Sequence, residues 1–145
     1  TVERYLDLLS KVFVIYEGGG YSRNLRKEIV KSNRWYFADN GVRNAVLNNF
    51  NLLPLRQDVG LLWENYILSE RAKYNSYQSR MVNSYYWRTY DQQEIDLIEE
   101  EHDVIEAFET KWKEKPVKIP AAFARAYAGS GFQVIHQNNY LPYIT

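Results

Sequence analysis

The chain has 145 residues, of which 46% are hydrophobic and 25% charged, and its 18 basic and 18 acidic side chains cancel to a formal net charge of zero. This composition is typical of a globular domain and excludes a disordered chain, a uniformly basic nucleic-acid coat protein and an acidic tail protein. The absence of cysteine excludes disulfide scaffolds, zinc fingers and thiol nucleophiles.

The first 37 residues predict a helix followed by two short strands. Apolar spacing predicts a helix over 2–11, the run 12–16 predicts a strand that stops before Gly18, and 35–37 predicts a second strand. The segment 21–34, between the two strands, carries one anion, Glu28, and five cations: Arg23, Arg26, Lys27, Lys31 and Arg34. The pattern has two interpretations. It is either the end of a winged-helix unit over 1–37, with the five cations contacting DNA phosphates, or an ordinary αββ start with a solvated basic loop.

The remainder, 38–145, predicts alternating helices and strands. Asp39 caps a short helix that ends near Asn48, and a long helix follows over 58–77. Strands are expected at 85–89, 94–99, 104–111, 132–136 and 140–144, with a short helix at 121–128. The order of these elements predicts an α/β sandwich.

An acidic run and a glutamate–lysine pair fall on neighbouring strands of this prediction. Strand alternation places Glu109 and Lys111 on one face, and it places Asp96 on a face with Ile98. If a two-residue turn at 102–103 joins the strands, Asp96 lies directly opposite Glu109, with Cβ atoms about 4.5–5.5 Å apart. Two carboxylates this close repel each other unless a cation lies between them or one is protonated.

A third carboxylate, Glu64, shares the core-facing stripe of the long helix with Leu61 and Leu68. Three carboxylates suit a hard divalent cation, Mg²⁺ or Mn²⁺, which polarises a phosphoryl oxygen and activates water. Lys111 then stabilises the attacking water or the charge of the transition state. The alternative is a solvated face in which these groups form weak ion pairs.

These residues resemble the active-site pattern of the PD-(D/E)XK nucleases, the restriction-endonuclease-like superfamily. More closely, the segments 21–24, 39–44, 62–65, 86–89, 94–96 and 109–111 are together similar to the C-terminal nuclease-like domain of prokaryotic AAA+-type ATPases. The resemblance implies a restriction-endonuclease-like αβββαβ sandwich over 38–145, preceded by a partial winged-helix remnant over 1–37. It also implies Asp96 and Glu109 as metal ligands, Lys111 as the catalytic lysine, and Glu64 at a further active-site position.

The chain departs from this pattern in two respects. Glu94-Ile95 stands where the superfamily has a proline before the aspartate, and no Walker A sequence occurs, so ATP hydrolysis is not assigned to these residues. An ATPase module of the same parent chain is the expected partner.

Two functions follow from the sequence. The first is a Mg²⁺- or Mn²⁺-dependent phosphodiesterase that acts on DNA through Glu64, Asp96, Glu109 and Lys111. The second is a non-catalytic module that binds DNA or protein and regulates the ATPase. No apolar run approaches the roughly 18 residues of a membrane span and no signal peptide is evident at the N-terminus, so we expect a cytoplasmic location.

Overall fold

A mixed six-stranded sheet organises the chain in the computed structural model, which describes residues 1–23, 28 and 32–145. Its strands are β1 (Ile15–Gly20), β2 (Arg34–Phe37), β3 (Asn83–Arg88), β4 (Glu94–Glu101), β5 (Val104–Thr110) and β6 (Gly131–Ile135). The described helices are α1 (Val2–Lys11), α2 (Asn40–Val46), α3 (Val59–Tyr77), α4 (Ala121–Ala126) and α5 (Leu141–Ile144), with a 3₁₀ turn at Leu53–Leu55. None of these helices is long and apolar enough to cross a membrane.

The strand order across the sheet is β2-β1-β3-β4-β5-β6. Strands β3, β4 and β5 form an antiparallel meander, and β6 pairs in parallel with β5. A parallel pair needs a crossover connection, and the segment that contains α4 supplies it. From Val59 to Ile135 the elements therefore follow the order αβββαβ that the sequence predicts.

Helices cover both faces of the sheet, so the predicted α/β class is confirmed. On one face, Trp63 and Ile67 of α3 pack against Leu97 of β4 and Phe108 of β5. On the opposite face, Phe123 of α4 belongs to a second cluster, whose strand residues are Trp87, Ile95, Ile98 and Ala107. Because β4 and β5 contribute to both clusters, they form the centre of the molecule.

A buried ion pair fixes α3 on the sheet. The carboxylate of Glu99 in β4, only 3% exposed, accepts hydrogen bonds from Arg71 Nε at 2.9 Å and Nη2 at 2.7 Å. Asn75 Nδ2 donates a third bond to the same carboxylate at 2.7 Å. A buried charge of this kind is tolerated because it is paired and hydrogen-bonded. The C-terminal half of α3 is therefore held in one position above β4.

Two strand predictions need correction. The first strand is Ile15–Gly20 rather than 12–16, because its glycines pair instead of ending it: Gly18 lies opposite Arg34 in β2 and Gly19 opposite Tyr85 in β3. A Cβ on Gly18 would lie only 3.2 Å from the Tyr36 ring, so glycine permits this close approach.

The strand predicted at 140–144 is wrong, since Leu141–Ile144 is a short helix. Pro142 lies in its first turn, where a missing N–H costs nothing, whereas in a ladder it would remove a hydrogen bond. Tyr140 and Tyr143 pack against the cluster that contains Trp63 and Ile67 of α3, and this contact positions the short helix.

The division into 1–37 and 38–145 stays a prediction, as does the winged-helix interpretation. Strands β1 and β2 extend the same sheet as β3 to β6. Helix α1 leaves large apolar side chains exposed, among them Val2, Tyr5 and Leu8.

Because β4 lies at the centre of both clusters, truncating one of its buried side chains should cause a large loss of stability. Ile98 is fully buried, so we expect Ile98→Ala to lower the free energy of unfolding by about 2–5 kcal/mol, through lost burial and the cavity left behind. Leu55→Ala is the control, since Leu55 is 73% exposed and its truncation should change stability by less than about 0.5 kcal/mol. Urea unfolding followed by tryptophan fluorescence measures both, and equal effects would contradict the assigned core.

Candidate functional site

The hairpin of β4 and β5 sets the relative positions of the candidate site residues. His102 and Asp103 form its two-residue turn, with φ angles of +48° and +65°, the pair of positive values that a type I′ turn requires. Glu101 pairs with Val104, and the register continues to Leu97 opposite Phe108. The predicted turn and register are confirmed to that point.

The ladder ends one step later, at Asp96. Instead of a further backbone pair, Asp96 Oδ2 accepts hydrogen bonds from Thr110 N at 2.8 Å and Thr110 Oγ1 at 2.9 Å. Asp96 as a whole is 7% exposed. The two strands thus separate here with the Asp96 side chain between them, rather than placing Asp96 in a regular pair with Glu109.

A bulge in β4 changes the face on which Asp96 lies. The pairing of β4 with β3 shifts between Tyr85 and Trp87, and as a result Ile95 and Ile98 enter the same core cluster. Strict alternation would put these two isoleucines on opposite faces, so the prediction that Asp96 shares a face with Ile98 is wrong. Asp96 instead bonds to Thr110 on the α3 side and lines a cavity of about 90 Å³ with Leu68 of α3.

Glu109 and Lys111 form a close ion pair beside Asp96. Lys111 Nζ donates to Glu109 Oε1 at 2.6 Å, as the predicted shared face implies. Burial raises the pKa of Glu109, and the Asp96 charge adds to that rise, while Lys111 opposes it. Burial by itself would lower the pKa of Lys111, but Glu109, Asp96 and Glu64 together raise it. Lys111 therefore remains a cation facing three carboxyl groups.

Glu64 approaches the same groups from α3. Tyr36 OH donates a hydrogen bond to Glu64 Oε1 at 3.3 Å, and Arg34 Nη1 lies 3.9 Å from that oxygen. The pKa of Glu64 is raised to about 7, chiefly by burial and also by the Asp96 charge, while Arg34 opposes the rise. Burial likewise raises the pKa of Asp96, against the hydrogen bonds from Thr110.

Asn65 explains how β2 comes to lie beside Glu64. Its side-chain Oδ1 accepts from Phe37 N at 2.8 Å and its Nδ2 donates to Phe37 O at 2.9 Å and to Asn40 Oδ1 at 2.8 Å. Both backbone groups of a β2 residue are thereby tied to the residue that follows Glu64. This brace holds Arg34 and Tyr36 next to α3.

The side chains of Glu64, Glu94, Asp96 and Glu109 are here called the acidic cluster, and Arg34 lies within it. Its Nη2 is 2.6 Å from Glu94 Oε2, and its guanidinium stacks 4.4 Å from the centre of the Tyr86 ring. Arg23 also has partners, since it bonds to Glu100 and lies 3.5 Å from Asp103. The other three members of the predicted DNA surface, Arg26, Lys27 and Lys31, lie outside the described residues, so that surface stays a prediction.

The sequence patterns did not predict three neighbours of the cluster: Glu94, Tyr36 and Thr110. Thr110 is the middle residue of the Glu-Thr-Lys segment, and Glu94 precedes Asp96 by two positions. Both are close in sequence to the predicted site residues, but the bulge that brings Thr110 into contact with Asp96 leaves no signal in the sequence. Tyr36 reaches the site only through the packing of β2 on α3.

The donor set fits a hard cation, because one buried carboxyl group, Asp96, and two half-buried ones, Glu64 and Glu109, have raised pKa values. Within the part of the chain that the structure describes, the cations that oppose this rise are Arg34 and Lys111. Carboxylate oxygens are the ligands that Mg²⁺ and Mn²⁺ prefer. Among the described residues, no group of three or more acidic or imidazole side chains already stands close enough to hold a metal ion. Binding through Glu64, Asp96 and Glu109 would therefore require their side chains to move closer together.

Comparison with known proteins gives two family matches. Residues 59–142 match the family described as "Domain of unknown function (DUF4143)", and residues 1–53 match "Domain of unknown function (DUF8612)". Uncharacterized proteins of Mycobacterium bovis and Mycobacterium tuberculosis are each 29% identical over 102 residues, which cover 69% of this chain and 22% of theirs. The chain thus spans about a fifth of the length of these relatives. No solved structure matches.

The raised pKa of Glu64 predicts how stability depends on pH. Because the native pKa, about 7, lies above the ordinary value of 4.5, the native state holds a proton between these values that the unfolded state has released. The contribution of Glu64 is therefore fully present below about pH 4.5 and is lost as the pH rises through about 7. Glu64→Gln stays neutral and can still accept from Tyr36, so the fall in stability should be smaller in this variant.

Urea unfolding at several pH values from about 4.5 to 8 tests this dependence. Glu3→Gln, a change on the exposed part of α1, should retain the wild-type slope. A Glu64→Gln variant that loses as much stability as the wild type over this range would contradict the assignment.

Proposed function

We propose that this chain, which belongs to the DUF4143 family, carries a nuclease-type site of the PD-(D/E)XK class and acts as a Mg²⁺- or Mn²⁺-dependent phosphodiesterase on DNA. The observation that carries the proposal is the position of Asp96. Its carboxylate lies where β4 and β5 separate, beside the Glu109–Lys111 pair and within electrostatic reach of Glu64.

The order of elements supports a restriction-endonuclease-like fold. In the run αβββαβ from Val59 to Ile135, Asp96 is on the second strand, Glu109 and Lys111 are at the end of the third, and Glu64 is on the preceding helix. These are the positions at which the superfamily carries its active-site residues.

Each side chain has a distinct role in the proposed reaction. Glu64, Asp96 and Glu109 would hold the divalent cation, which when bound supplies a Lewis acid and lowers the pKa of water. The Lys111 ammonium stabilises negative charge that builds up on the phosphate, or orients the attacking water. Thr110 fixes the Asp96 carboxylate through two hydrogen bonds, so the ligand is oriented before substrate binds.

The proposed setting is the cytoplasm, in a parent chain that also contains an ATPase module. The support comes from the resemblance carried by segments such as 39–44 and 62–65, and from the relatives, which extend well beyond the matched region. In such a parent chain, the ATPase would regulate the nuclease site, or this domain would regulate the ATPase.

Arg34 favours a second candidate function, a non-catalytic module that binds DNA or protein. Its guanidinium already neutralises Glu94 at 2.6 Å and lies 3.9 Å from Glu64. In this alternative the acidic cluster is a structural ion cluster that holds β2 against α3 and β4. The two candidates differ in whether a divalent cation binds.

Metal-dependent nicking of supercoiled plasmid DNA tests the first candidate. With Mg²⁺ or Mn²⁺ we expect nicking by the wild type and a loss of roughly 10²–10³-fold in Lys111→Ala and Asp96→Asn, because each removes a charge from the reacting centre. Glu106→Gln is the matched control, since Glu106 lies on the same strand and pairs with Glu99 away from the cluster.

Calorimetric titration with Mn²⁺ separates the candidates when no nicking occurs. Binding that Asp96→Asn weakens, with Glu106→Gln unaffected, would support a metal site. Nicking that survives both substitutions would point to a contaminant. Absence of both nicking and Mn²⁺ binding would overturn the nuclease proposal in favour of the module.

A further inference from the structure

A lysine-rich loop, here called the lysine loop (residues 111–120), leaves β5 directly after the candidate site. It contains no helix or strand and connects to α4. The segment 111–118 has four lysines and one glutamate, a net charge of +3 in a chain whose total is zero. The positive charge of this segment thus begins beside the candidate site, at Lys111, whose ammonium is paired with Glu109.

The base of the lysine loop is held in place. Lys111 N donates to Ile135 O at 2.9 Å, and Gln137 N donates to Trp112 O at 3.4 Å, so the loop continues alongside the end of β6. The Trp112 ring packs edge-on against Trp63 of α3, with centroids 5.3 Å apart. The direction in which the loop leaves the sheet is therefore set by the same helix that carries Glu64.

The three lysines of the loop beyond Lys111 are free to bind a ligand. Lys113, Lys115 and Lys118 are exposed, and within the described residues no ion pair joins any of them to a carboxylate. Cations on or above the sheet are used differently, because Arg71 and Arg80 are bonded to Glu99 and Glu101. The positive charge of the loop remains available to an external anion.

We propose that Lys113, Lys115 and Lys118 bind the phosphate backbone of a nucleic acid and hold it across the site at Asp96, Glu109 and Lys111. Three exposed cations spread over six residues, with no enclosing cavity, suit a polymer with regularly spaced charges better than a single phosphate. The acidic cluster repels a polyanion, and the loop beside it offsets that repulsion. The inference rests on the proposed function for the choice of nucleic acid over an acidic protein segment.

Binding measured without metal tests the inference separately from catalysis. A fluorescein-labelled DNA duplex of about 20 base pairs is titrated with protein in EDTA, and anisotropy is recorded from roughly 50 to 300 mM salt. We expect the triple variant Lys113→Gln, Lys115→Gln, Lys118→Gln to bind more weakly, with the slope of log K against log salt reduced by roughly two to three, at about 0.9 per phosphate contact. The loss should be the same for duplexes of different sequence.

The control removes three positive charges elsewhere, with Arg4→Gln, Lys11→Gln and Lys73→Gln, and should keep at least most of the wild-type slope. An unchanged slope in the loop variant, an equal loss in the control, or no DNA binding by the wild type would overturn the inference. A polyglutamate peptide of matched charge that binds as tightly as DNA would assign the loop to an acidic protein partner instead. The binding assay contains no metal, so it does not depend on catalysis. If the protein binds DNA through the loop but does not nick it when metal is added, the loop assignment stands and the nuclease proposal fails.

Discussion

The hydrogen bonds from Thr110 to the Asp96 carboxylate are the interaction on which the candidate site depends. They replace the next rung of the β4–β5 ladder, so the two central strands separate at the point where Glu109 and Lys111 follow. The bulge in β4 brings Asp96 to the α3 side, and the same bulge lets both Ile95 and Ile98 fill the opposite core. One local irregularity therefore serves the packing of the α4 face and the position of the acidic group.

The site carries more negative charge than its surroundings neutralise. Burial raises the pKa values of Glu64, Asp96 and Glu109, while Arg34 and Lys111 oppose the rise at Glu64 and Glu109. A proton relieves the remaining repulsion, and in the proposed nuclease a divalent cation would do the same at the same oxygens. Under that proposal, metal binding would weaken as the pH falls and protons occupy the carboxylates.

The structure around the site is held by polar contacts that fix α3. At its N-terminal end, Asp58 accepts from Arg56 Nε at 2.8 Å and from Arg43 Nη1 at 2.9 Å, and these arginines hold the pKa of Asp58 well below its usual range. Asn65 ties the helix to β2, and Arg71 ties it to Glu99 of β4. Glu64 lies between these anchors. Several residues of the segments 39–44 and 62–65 thus serve to place α3 on the sheet. Glu64 is the residue of these segments that faces the acidic cluster.

Local patterns in the sequence determined the features that depend on neighbouring residues. Apolar spacing predicted α1 and α3, the turn residues His102 and Asp103 predicted the hairpin register, and strand alternation predicted the contact of Glu109 with Lys111. Only the tertiary structure decided that β4 bulges at Asp96 and that Arg34 enters the acidic cluster. Both features result from packing between segments that are distant in the chain. Such contacts leave no periodic pattern in the sequence, and they form only when the sheet and α3 assemble.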